Sequence, residues 1–99
     1  MARSVSLEST VVAAADQVFC DLAGEAIILS LKSGTYYGLD AVGARIWQLL
    51  QTPRVVARIR DQVLEEFDVE PSRCEQELLA LLEQLVRHSL VEVTSAAPA

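Results

Sequence analysis

Chemistry in this 99-residue chain would have to come from few side chains: one histidine, His88, two cysteines, Cys20 and Cys74, the adjacent Tyr36 and Tyr37, and the neighbouring carboxylates Glu65 and Glu66. A histidine general base needs an orienting partner and a nucleophile within hydrogen-bond reach, and the sequence offers neither. His88 falls near a predicted helix C-terminus, where the dipole favours a cation, and reads as a capping residue. Two cysteines and one histidine cannot close a four-ligand zinc site and stand at no ligand spacing, so both cysteines read as small, reduced core hydrophobes. Glu65 and Glu66 lie on a solvated helix face, a poor setting for paired acid–base catalysis. Gly34, Gly38 and Gly43 are not spaced as a phosphate cradle, and no GxSxG or HExxH occurs. The expectation is a chain that is not an enzyme and holds no metal and no cofactor.

The elements that must position these residues follow from periodicity. Gln17 to Leu22 alternates Val18, Cys20 and Leu22 with Phe19 and Asp21, the pattern of a strand with one face buried, and Gly24 punctuates it. In Ala26 to Lys32, Ile27, Leu29 and Leu31 share one face while Ile28, Ser30 and Lys32 take the other. Ser33-Gly34 reads as a tight hairpin turn into a strand over Thr35 to Leu39. Asp40 then caps a helix running to about Gln51, on which Val42, Ile46, Leu49 and Leu50 recur at helical spacing beside Trp47. Thr52-Pro53 predicts the cap and first residue of a second helix ending near Phe67. Pro71, with Ser72 and Glu75 as a capping box, predicts a third running to about His88, and Leu90 to Val93 a closing strand.

The third helix carries more apolar surface than one-sided packing requires. Cys74, Leu78, Leu79, Leu81, Leu82, Leu85 and Val86 spread over an arc of roughly 160°, against the roughly 100° stripe of an ordinary surface helix. Either the helix is deeply embedded or part of that face awaits a partner. Tyr36 and Tyr37 must point to opposite faces of their strand. A two-residue turn at Ser33-Gly34 pairs Leu31 with Tyr36 and Ser30 with Tyr37. Tyr36 then joins the Ile27, Leu29 and Leu31 side, and Tyr37 is left either as a wet aromatic or as a binding residue.

Eight basic residues against fourteen acidic give a formal net charge of -6. Such a field repels phosphate and anionic lipid, so neither nucleic acid nor a membrane is expected as partner. A content of 52% hydrophobic and 22% charged residues suits one ordinary globular domain of this length. The N-terminus shows no signal peptide or anchor pattern, and a cytoplasmic location is expected. The domain is placed over 17–93, with 1–16 as an arm, partly extended and partly mobile, and 94–99 as a frayed tail. The fold class is α+β: a three-stranded antiparallel sheet, three helices and a short terminal strand. Such a meander ends in an edge strand, thinly protected by Lys32.

The stretch "AIILSLKSGTYYGLDAVGARIWQLL", with its turn, aromatic pair, "GLD" and "IWQLL", resembles the PqqD-like family, also called RiPP recognition elements. "FDVEPSRCEQELLALLEQLVRHSLVE" is similar to that family's third helix and closing segment, and the likeness spans about 17–93. Family members often have Gly before the closing hydrophobic pair, where this chain has Ser89 before Leu90-Val91. The resemblance implies a winged helix-turn-helix-like fold that binds no DNA and grips the leader segment of a ribosomal precursor peptide, which adds as a strand to the third strand and packs on the third helix. Carried over, Thr35, Tyr36, Tyr37 and Gly38 would offer the backbone edge, and Leu78, Leu82 and Leu85 the groove. As a free-standing chain it looks most like the leader-binding protein of lasso-peptide maturation, whose partners would be a transglutaminase-like leader protease and an asparagine-synthetase-like cyclase. The alternatives are a leader chaperone for a radical SAM enzyme, a winged helix-turn-helix DNA-binding protein, and a small module whose open edge pairs with itself. The acidic third helix, with Glu75, Glu77 and Glu83 against Arg73 and Arg87, disfavours DNA.

Overall fold

A computed structural model describes residues 5–15, 17–22 and 25–95. Among these described residues six strands and three helices follow in the order β1 (Thr10–Ala13), β2 (Gln17–Leu22), β3 (Glu25–Ser30), β4 (Tyr36–Leu39), α1 (Ala41–Leu49), β5 (Arg54–Val55), α2 (Val56–Glu66), α3 (Pro71–Arg87) and β6 (Val91–Ser95). The strands form two antiparallel sheets, ordered β5-β1-β6 and β2-β3-β4. The α+β class, the three-strand meander, the three helices and the closing strand are as the sequence predicts. Gly24 lies outside the described residues, as do 1–4 and 96–99.

The second sheet is what periodicity missed, because its strands are short and its central strand sits in the stretch read as an arm. Val5 and Val11 of that stretch are fully buried in the core. Its backbone is tied to the rest of the fold: Ala13 N–H donates to Leu50 O and Ala14 N–H to Leu90 O, both at 2.8 Å. The same stretch also explains why α2 starts later than Thr52-Pro53 predicts. Arg54 and Val55 pair with β1 instead of turning into helix. The first amides of α2 are satisfied by that same segment, Val56 N–H donating to Ser9 O and Ala57 N–H to Leu7 O, so Val55 caps α2 with no side-chain hydrogen bond.

At α3 the cap is Glu70, not Ser72. The Glu70 carboxylate accepts from Ser72 N–H at 3.2 Å and Arg73 N–H at 3.0 Å, with Pro71 in the first turn. The Arg73 amide, then that of Ser72, holds the Glu70 carboxyl below its ordinary value. Asp40 caps α1 as expected, accepting from Gly43 N–H at 2.8 Å. At the other end of α3, Leu90 N–H donates to Leu85 O and Ser89 N–H to Val86 O, which is a Schellman cap. It forces Ser89 to φ 61, the left-handed region where glycine bears no Cβ penalty. Ser89 is therefore the price of lacking the glycine common at this position. Ser89→Gly is expected to raise the unfolding free energy by about 1 kcal/mol, read as a higher urea midpoint at unchanged slope; an unchanged or lower midpoint would refute the strain.

The core sits between the helices and the inner faces of both sheets. Trp47, Ile28, Leu50, Ile59, Leu78 and Leu82 are among its largest fully buried side chains. In β3 the buried row is Ala26, Ile28 and Ser30, whereas Leu29 and Leu31 are exposed. This reverses the expected inward face. Both rows of the strand are apolar enough to pack, so alternation separates the faces without saying which one the helices cover. The same reversal puts Cys20 and Val18 of β2 outside and half-buries Phe19, so Cys20 is not the core residue that the sequence predicts. Cys74 is buried, and its thiol is pushed up by that burial.

Candidate functional site

The hairpin between β3 and β4 is longer than a two-residue turn. Ser30 N–H donates to Thr35 O and Gly34 N–H to Ser30 O, both at 2.8 Å. Gly34 has φ 74 at the end of the loop, a conformation that glycine adopts freely. Buried Ser30 organises the turn further, its Oγ accepting from Ser33 N–H. The register that follows pairs Leu29 with Tyr36 and Ile28 with Tyr37. Tyr36 thus shares a face with Leu29, but that face is the outer one.

Tyr36 is 70% exposed. Tyr37 turns inward, donates its hydroxyl proton to Gln84 Oε1 at 3.0 Å and meets the His88 ring edge-on at 5.1 Å between centroids. It therefore bridges β4 to the C-terminal end of α3, and His88 is both that helix's C-cap and one wall of the bridge. Tyr37→Ala is expected to cost about 1–3 kcal/mol of stability and Tyr36→Ala less than about 0.5. Equal thermal melting shifts for the two variants would contradict this division.

β4 is an edge strand. Among the described residues nothing pairs with its outer side. In an antiparallel ladder, hydrogen-bonded pairs alternate, and the Ser30–Thr35 bond fixes the phase. Tyr37 and Leu39 accordingly bond to β3, while Tyr36 and Gly38 turn their N–H and C=O groups to the open side. A strand added there would find four unpaired backbone groups in register.

The open edge runs into a cavity of about 780 Å³ between β4, the start of α1 and α3. Val42, Ile46, Val63, Leu78 and Leu81 supply apolar lining, and Val69 stands at the rim, 37% exposed. Gly43 brings the start of α1 close to β4: a Cβ there would stand 3.2 Å from Leu39 Cδ2. Of the residues expected to form a site, Gly38 and Leu78 line the cavity. Thr35, Tyr36 and Tyr37 lie beside it on the hairpin and edge strand. Leu82 and Leu85, 0% and 1% exposed, lie in the core. Leu81 and Val69 went unselected by sequence reasoning; the signal for Leu81 was the excess width of the apolar arc on α3.

Four of the described arginines, Arg45, Arg54, Arg60 and Arg73, are engaged within the fold. Arg45 grips Glu66 through Nε at 2.8 Å and Nη2 at 2.9 Å, and this contact raises the guanidinium pKa and lowers that of the carboxyl. Arg60 holds Glu75 and Asp61, Arg73 holds Glu77, and Arg54 Nε donates to Leu49 O. Few are left to meet a phosphate backbone, which weakens the DNA alternative. Among the described residues no group of three or more His, Cys, Asp or Glu could hold a metal, and no helix is long and apolar enough to cross a membrane.

The architecture is that of a small winged helix-turn-helix-like α+β domain with an open strand edge leading into an apolar cleft against its third helix. The chain belongs to the PqqD family: the profile described as "Coenzyme PQQ synthesis protein D (PqqD)" matches residues 25–91. No curated protein matches the chain. Among solved structures it is similar to TbiB1 in complex with the TbiA(beta) leader peptide, at 33% identity and a TM-score of 0.74, over 86% of this chain and 99% of that one. It is also similar in fold to a lasso peptide synthetase B1 complexed with the leader peptide, at 21% identity and a TM-score of 0.71, over 83% of this chain and 96% of that one.

Proposed function

We propose that this chain is a non-catalytic leader-peptide-binding protein, which captures the leader of a ribosomally made precursor as an added strand on β4. The observation that carries the reading is the continuity between the open Tyr36–Gly38 backbone and the apolar cavity beneath it. Backbone pairing would hold the peptide in register, while alternate side chains enter the cavity and supply selectivity. The likeness to TbiB1, whose structure contains a leader peptide, supports leader binding as the role of this chain.

In lasso-peptide maturation the bound precursor would be presented to a transglutaminase-like leader protease and an asparagine-synthetase-like cyclase, in the cytoplasm. The name of the matching family favours a second client, a radical SAM enzyme of quinone-cofactor biosynthesis, whereas the identity to TbiB1 favours the first. Genes for a short precursor, a protease and a cyclase beside this one would decide between them.

The test is titration calorimetry of the protein with the leader of the neighbouring precursor. A one-to-one complex with a dissociation constant around micromolar, about -8 kcal/mol, is expected. Absence of binding at concentrations a hundredfold higher would remove the proposal.

A further inference from the structure

The cleft is apolar around Leu78 and Leu81 and charged around Asp68, Glu70 and Arg73. Along α3 its lining residues include Arg73, Glu77 and Leu81, which follow one helix face. One turn further on, that face carries Gln84 and then His88, both engaged by Tyr37. The Tyr37 bridge therefore follows Leu81 on that face, outside the cavity lining. At the opposite end, Asp40, Asp68, Glu70 and Glu77 line the cavity with Arg73 as the one cation among its lining residues.

That cation is taken: Arg73 Nε lies 2.8 Å from Glu77 Oε2. Asp40 and Glu70 accept from the first amides of α1 and α3, contacts with partial charges that only partly offset a full negative one. Asp68 is exposed at the mouth. A peptide seated in this cleft meets an apolar floor at Leu78 and Leu81 and a net negative rim toward Asp68 and Glu70.

We propose that the cleft selects an extended segment with an apolar side chain over Leu78 and Leu81 and a lysine or arginine about two to four residues further toward Asp68 and Glu70. The inference deepens the leader-binding reading and rests on it. Its spacing follows from geometry: Leu81 to Arg73 spans about 12 Å of helix, and inward side chains on a strand recur about every 7 Å. The apolar anchor over Leu78 and Leu81 fixes where the basic residue falls. A carboxylate there would be repelled, so charge reads the register that backbone pairing alone leaves loose.

The experiment is selection of phage-displayed random dodecapeptides on the full chain, followed by fluorescence anisotropy of a selected peptide and its Lys→Gln and Lys→Glu versions. Selected peptides are expected to carry an apolar residue and a basic one at that spacing. Replacement of the base by Gln should weaken binding about threefold, as for an exposed ion pair, and replacement by Glu should weaken it further. Asp68→Lys removes most of the rim's net negative charge and should narrow the spread among the three peptides. Apolar selection without a basic preference, or an Asp68→Lys variant that separates the three peptides as widely as wild type does, would overturn the charge requirement and leave leader binding standing. No enrichment, or enrichment that survives both Leu81→Glu and Val69→Glu in variants with unchanged melting, would overturn the cleft as the binding site and the charge requirement with it.

Discussion

Leu82→Ala is expected to lower the unfolding free energy by about 2–5 kcal/mol, the range for truncating a buried leucine that leaves a cavity. Leu82 is fully buried on α3, within the core cluster that holds Ile28, Leu50 and Ile59. A domain of this size has only about 5–15 kcal/mol of stability in total, so the variant should melt many degrees lower. Any loss of peptide binding in it should follow the unfolded fraction. Chemical denaturation measures the first effect, and binding at a temperature where the variant is still folded measures the second. A stable Leu82→Ala variant that has lost binding would place Leu82 in the cleft after all.

Leu81→Glu is expected to do the converse. Leu81 is the next residue on the same helix, yet it is only half-buried and lines the cavity. A carboxylate there keeps access to water in the free protein, so the fold should survive. A peptide side chain arriving over it would have to desolvate the charge. Together with the lost apolar contact, this should weaken leader binding at least about thirtyfold, or about 2 kcal/mol. Calorimetry with the leader, alongside a melting curve, checks both parts. Unchanged affinity in a folded variant would take the α3 side of the cavity out of the binding surface.

These two neighbouring leucines show what could be read from residue order. The apolar arc on α3 was legible as too wide for one-sided packing, because helical spacing fixes angles around an axis. It could not say which edge of the arc faces a cavity and which the core. Carried over from the family, the groove fell on Leu78, Leu82 and Leu85; the fold places only the first of these at the cavity. Tyr36 and Tyr37 tell the same story in a strand. That they part to opposite faces follows from a period of two, but the inner one is Tyr37, because the helices cover the Ile28 row.

The amino-acid order alone determined what acts locally: the class and order of the main elements, the Asp40 cap, the turn at Gly34, the edge strand that ends the meander, and the family motif that spans them. Only the folded chain decided the rest. The central strand Thr10–Ala13 forms because β5 and β6 flank it, and Glu70 rather than Ser72 caps α3. The cleft exists because the end of β4, the start of α1, the Asp68–Glu70 turn and α3 meet around it. The strand and the cleft each depend on groups distant in the chain meeting in space, and neither propensity nor periodicity carries that information.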